Sequence, residues 1–172
     1  MRKKSRTIIL CGLVAACLLS GCTGTEKKQE VTNEKGEAVN SLEEVKDSKV
    51  FADLGAEIEV PMGAENAKYY VVDKKIAEIQ FVFYDADYVY RGSRSSGDIS
   101  GKKEEFQDAK ERTVAVKNTK PETEVTVKTN GDGARLGIWT LEDGSSYSLY
   151  TEGDMEDAAF DSLCKELVKE LN

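Results

Sequence analysis

Apolar residues fall into a two-residue rhythm from Ala67 onward, and that rhythm predicts most of the elements. IAEIQFVFY, Ile76 to Tyr84, puts Ala77, Ile79, Phe81 and Phe83 on one face and Glu78 and Gln80 on the other, the mark of a half-buried strand. AKYYVVD before it is rich in β-branched and aromatic residues and ends at a turn-like Asp73-Lys74-Lys75. Asp85-Ala86-Asp87 turns the chain into YVYR, a third strand. GSRSSGDISGKKEEFQDAK then reads as loop, with a short helix expected around Glu104 to Lys110. A second run of strands follows: RTVAVKN, TEVTVKT, ARLGIWT and SSYSLYT, punctuated by Pro121, Asn130-Gly131-Asp132-Gly133 and Glu142-Asp143-Gly144. Asn-Gly and Asp-Gly between alternating strands favour tight hairpins, because both central turn positions take positive φ.

The rhythm changes to helical at both ends of this body. Ser41-Leu42-Glu43-Glu44 fits a capping box and predicts a short helix from Ser41, with Leu42, Val45, Phe51 and Leu54 facing inward. In DMEDAAFDSLCKELVKELN, Phe160, Leu163, Leu167 and Leu171 recur at helical spacing with Cys164 and Val168 beside them, and Asp154 is the expected N-cap. Connections this short imply antiparallel pairing. The expected architecture is α+β: an antiparallel, meander-like sheet, a C-terminal helix packed on it, and a short N-terminal helix.

Upstream the pattern is of another kind. MRKKSR carries Arg2, Lys3, Lys4 and Arg6 without an acid, and an apolar stretch runs from Ile8 to Leu19. That is the layout of a secretory signal, too short for the roughly 20 apolar residues of a spanning helix. Leu19-Ser20-Gly21-Cys22 closes it, and these four residues resemble the lipobox of bacterial lipoproteins. The resemblance implies cleavage before Cys22 and a diacylglyceryl group on its thiol. Two acyl chains anchor stably where one alone is marginal. The chain therefore divides into a signal peptide over 1–21, a disordered tether over 22–40, and a single domain over 41–172. The tether contains no aromatic residue and has mixed charge, Gly, Thr and Asn, so it buries too little to offset its ordering entropy. Its eighteen residues from Thr23 to Asn40 give an r.m.s. reach of about 25 Å and a limit near 60 Å.

Charge narrows the partners. Loss of the signal's four cations leaves 20 against 32 acids, a net charge of −12. Such a surface is repelled by phosphate backbones and anionic head groups, which argues against nucleic acid and for a body that stands off the membrane. Of the cysteines only Cys164 would be left free, on the apolar side of the last helix, where a thiol behaves as a small hydrophobe.

A longer resemblance lies in the strand region. GAENAKYYVVDKKIAEIQFVFYDADYVYR, then DISG, then LGIWT and DGSSYSLYTEG ahead of the last helix, resemble an uncharacterised domain of Gram-positive bacterial lipoproteins over about Leu54 to Leu171. Its specific parts are Gly63-Ala64-Glu65-Asn66, Tyr88 to Arg91, Asp98-Ile99-Ser100-Gly101, and Trp139 ahead of Tyr147-Ser148-Leu149. The resemblance implies a small α+β domain behind a signal or anchor. It implies no chemistry.

The residues themselves offer little catalysis. No histidine is present to serve as a neutral-pH base, no G-x-S-x-G elbow appears, and Ser145-Ser146 belongs to a turn. Asn130 and Asp132 echo a calcium loop, but Lys128 and Trp139 stand where that motif needs acids; Asp85 and Asp87 are a weaker echo. No metal, cofactor or catalytic residue is expected. Paired carboxylates could still hydrolyse an envelope glycan if they stood about 5–9.5 Å apart, and Glu104 and Glu105 read as solvated surface. Strand aromatics are the remaining signal. Most should be core, with Tyr88, Tyr90 and Trp139 the candidates for an exposed recognition cluster. The leading expectation is a non-catalytic module, lipid-anchored at Cys22 on the extracytoplasmic side of the cell membrane, that binds a protein or cell-wall partner. The alternatives are an envelope hydrolase using carboxylates alone and an accessory subunit of a membrane assembly.

Overall fold

A computed structural model describes residues 28–32, 38–153 and 155–172. Nine antiparallel strands form one sheet: β1 (Lys28–Thr32), β2 (Ala38–Val45), β3 (Glu65–Val72), β4 (Ile76–Phe83), β5 (Ala86–Ser93), β6 (Lys110–Val116), β7 (Thr123–Thr129), β8 (Arg135–Thr140) and β9 (Ser146–Thr151). Their order across the sheet is β1-β2-β3-β4-β5-β9-β8-β7-β6. Two meanders, β1 to β5 and β6 to β9, are thus joined along the β5–β9 ladder. The chain passes between them by a long crossover, residues 94–109. The helices are α1 (Phe51–Leu54), preceded by a 3₁₀ turn at Ser48–Val50, and α2 (Asp157–Glu170).

One face of the sheet is the main core. Ala77, Ile79 and Phe81 of β4 lie on it, paired with Gly92, Tyr90 and Tyr88 of β5. Tyr147 and Leu149 of β9 and Trp139 of β8 continue the same face. Phe160, Leu163, Cys164, Leu167 and Val168 of α2 cover it, with Phe51 of α1 and Ala56 and Ile58 of the following segment. Each buried aliphatic or aromatic side chain contributes about 1.5–3 kcal/mol, so this layer dominates stability. Two glycines allow the close approach. A Cβ on Gly92 would stand 2.8 Å from Ile58 Cγ2, and one on Gly137 would stand 2.9 Å from Cys164 Sγ.

The opposite face carries the crossover. Phe106 packs there against Ala134, Leu136 and Tyr150. Glu78, expected on a solvated face, is 2% exposed because the crossover covers it. Arg91 is the clamp. Its Nε and Nη2 donate to Glu78 Oε2, each at 2.7 Å, and its Nη1 donates to the carbonyls of Ile99 at 3.1 Å and Ser100 at 2.8 Å. Gln80 Nε2 donates to the other Glu78 oxygen at 2.7 Å.

Three expectations are corrected. No helix starts at Ser41: it lies within β2, where Leu42 pairs with Val72 and Val45 with Tyr69. The Ser41 backbone N–H donates to Asp73 Oδ1 at 2.8 Å, so ladder and loop contacts replace a helix cap whose local advantage is only about 1 kcal/mol. The short helix around Glu104 is a series of turns leading into β6. The hairpin of β1 and β2 also enters the stretch read as a tether, since Lys28 already pairs with Glu43. The C-terminal helix lies where its periodicity places it, with Glu156 at the N-cap; Asp154 falls outside the described residues.

Candidate functional site

A polar cleft of about 530 Å³ lies at the end of the sheet where β5 and β8 finish and β9 begins. That volume is typical of small-ligand sites. Ile58 and Tyr147 reach it from the core, and Lys49, Glu57, Glu59, Arg94, Asp143 and Glu170 bring its charges. Each wall has a local cause. Asp47 caps the 3₁₀ turn by accepting from the Lys49 N–H at 3.1 Å. Gly55 ends α1 in the left-handed conformation at φ 64°, and Arg94 lies so close over it that a Cβ would meet Arg94 Nε. Arg94 Nε donates to the Gly55 carbonyl at 3.3 Å, fastening the crossover's start to this wall. Ser48 Oγ donates to Glu59 Oε1 at 2.9 Å.

Two carboxyls of this cleft are pushed in opposite directions. Asp143 is held below its ordinary range, chiefly by the Ser145 backbone N–H that donates to it at 2.9 Å. Glu170, at the end of α2, is raised by loss of hydration and then by Glu166 and Glu59. Burial, reinforced by Asp143, raises the Tyr147 hydroxyl. Four carboxyls against Lys49 and Arg94 leave the lining net negative, which favours a ligand carrying positive charge.

The aromatic cluster expected at Tyr88, Tyr90 and Trp139 is not a surface. Their exposures are 1%, 1% and 2%, because α2 and the Ala56–Val60 segment cover that face. Trp139 is stacked between Tyr90 and Tyr147 with ring centres 6.0 and 5.8 Å away, and this packing is core. Asn130 and Asp132 form a hairpin turn, in which Asn130 Oδ1 accepts from the N–H groups of Asp132 and Ala134. Asp85 sits in the β4–β5 turn. No three carboxyl, imidazole or thiol groups among the described residues converge as a metal ligand set. Glu105 pairs with Lys102, and Glu104 is exposed. Cys22 lies outside the described residues.

The stretches that carry the longer resemblance have structural tasks. Asp98 Oδ1 accepts from the Ser100 N–H at 2.9 Å and from its hydroxyl at 2.6 Å, shaping the loop that Arg91 grips. Gly101 takes φ 69°, and a Cβ there would press on Arg91 Nη1 at 2.8 Å. Gly63 takes φ 92° in the turn from Pro61 to Ala64, and Asn66 takes φ 55° where β3 shifts register. The cleft residues come from five separated stretches, and only Gly55, a lone glycine after an apolar helical turn, marks any of them in the sequence. No family model matches the chain, and neither curated proteins nor solved structures include one similar to it.

Proposed function

We propose that this chain is a lipoprotein held at the extracytoplasmic face of the cell membrane by a diacylglyceryl group on Cys22, and that its domain binds a partner without chemistry. The observation that carries this is Leu19-Ser20-Gly21-Cys22 behind a basic start and an apolar run. One structural fact supports it. The cleft offers a polar, net-negative recess suited to a cationic group of an envelope protein or cell-wall component. Replacing Cys22→Ala is expected to release the protein from the membrane fraction and abolish incorporation of labelled palmitate. Retention of label in that variant refutes the anchor.

A second reading has one specific observation behind it. Asp143 and Glu170 line the same cleft with pKa values displaced downward and upward, the division of roles that a base and an acid need in glycan hydrolysis. Asp143 already accepts from its own turn, which favours binding over catalysis. Release of soluble fragments from purified cell walls, abolished by both Glu170→Gln and Asp143→Asn, would establish the hydrolase.

A further inference from the structure

The end of the sheet opposite the cleft carries an apolar tip. Met62 is 89% exposed and Tyr84 is 84% exposed, the two most exposed large apolar side chains among the described residues. Half-buried Phe83 joins them: its ring lies 4.4 Å from that of Tyr84, and a Cβ built on Gly63 would touch it at 3.8 Å. Tyr84 and Asp85 both take positive φ, 47° and 60°, to close the β4–β5 hairpin. Asn and Gly fill such turns because a bulky side chain is strained there. An aromatic residue held out into solvent at a strained position points to a use for that ring.

The course of the chain says what covers the tip. β1 is antiparallel to β2, which is antiparallel to β3, so β1 enters the sheet from the side on which β3 begins and β4 finishes. Lys28 lies level with Glu43, Val71 and Ala77 across the ladders, and Phe83 is six residues further along β4, about 20 Å. Six residue steps separate Cys22 from Lys28, a reach of about 20–22 Å at full extension. With β1 paired, an acyl group on Cys22 can only just draw level with the tip. A bilayer holding that lipid therefore cannot lie tens of ångströms beyond the tip, and it meets the tip when residues 22–27 are extended.

We propose that Met62 and Tyr84 seat in the head-group layer of the membrane that holds the lipid on Cys22. The proposal rests on the reading of Cys22 as the acylated residue. It gives the domain an orientation, with the tip on the lipid and the cleft facing outward. Glu65, Asp85 and Asp87 are exposed around the tip, so the contact is apolar and prefers zwitterionic to anionic lipid at low salt.

The test uses the full lipidated chain in phosphatidylcholine vesicles with brominated acyl chains, with Tyr84→Trp, Met62→Trp and, at the cleft end, Glu142→Trp compared in parallel. Buried Trp139 supplies a constant background. The expected result is blue-shifted, bromine-quenched emission for both tip variants and none for Glu142→Trp, with the quenching weakened by added phosphatidylglycerol. Intact mass of the same samples reads the lipid on Cys22 independently. Acylated protein with an unquenched tip overturns the membrane contact while leaving the anchor standing, and points to a protein over the tip. Equal quenching at both ends overturns the orientation, and an unmodified Cys22 overturns anchor and contact together.

Discussion

The clamp on the crossover offers the sharpest test of how this domain is held together. Arg91→Ala would leave the Glu78 carboxylate buried with Gln80 as its remaining side-chain partner, and free the carbonyls of Ile99 and Ser100. Removing one member of a buried ion pair costs about 3–5 kcal/mol, because the remaining charge stays desolvated. Small domains have about 5–15 kcal/mol in all, so this is a large share. With a urea slope of roughly 2 kcal/mol per M, the midpoint should fall by about 2 M, followed through Trp139 fluorescence. The double variant Glu78→Leu with Arg91→Leu removes both charges and should lose clearly less than the two single changes added together. It does not restore the grip on Ile99 and Ser100. Trypsin should therefore cut at Lys102 and Lys103 faster in the double variant than in the native chain, even where global stability recovers. A loss under about 1 kcal/mol for Arg91→Ala, or unchanged cleavage of the crossover, would refute the clamp.

Three further outcomes follow from other parts of the molecule. Burial pushes the Cys164 thiol far above its ordinary value, so alkylation by iodoacetamide at neutral pH should follow unfolding and accelerate only in denaturant. The Asp157 carboxyl is held below its ordinary range, chiefly by a hydrogen bond from Arg135; a depressed folded value means stability present at neutral pH and lost as the pH falls through the carboxylate range, so Asp157→Asn should flatten that acid limb in urea titrations. Tyr84→Asn should raise the thermal midpoint by relieving about 1 kcal/mol of left-handed strain while abolishing the lipid contact; a lower midpoint would show that the ring's packing on Phe83 outweighs the strain.

Local pattern revealed the parts of this fold that local pattern determines. The alternation in β4, the Asn130–Gly133 and Glu142–Gly144 turns and the spacing of Phe160, Leu163 and Leu167 all sit where the sequence places them. Ser41 misleads because a capping box is a signal worth about 1 kcal/mol, whereas pairing Leu42 to Val72 and Val45 to Tyr69 fixes a whole strand. Glu78 misleads for a related reason. Its alternation correctly excludes it from the main core, but only the returning crossover decides that the other face is also dry. Tyr88, Tyr90 and Trp139 alternate like surface and core aromatics alike, and the position of α2 decides between them. The cleft was the least legible feature, since Glu57, Arg94, Asp143 and Glu170 share neither a motif nor a spacing and meet only through the order of strands.

That order has a consequence for synthesis. The strand that joins the two halves, β9, is the last of the nine to be made, so a chain synthesised only as far as β8 carries two half-sheets with open flanks along β5 and β8. Such flanks invite pairing with other chains until they are filled. The two halves can be joined only when Ser146 to Thr151 arrives and pairs with both flanks.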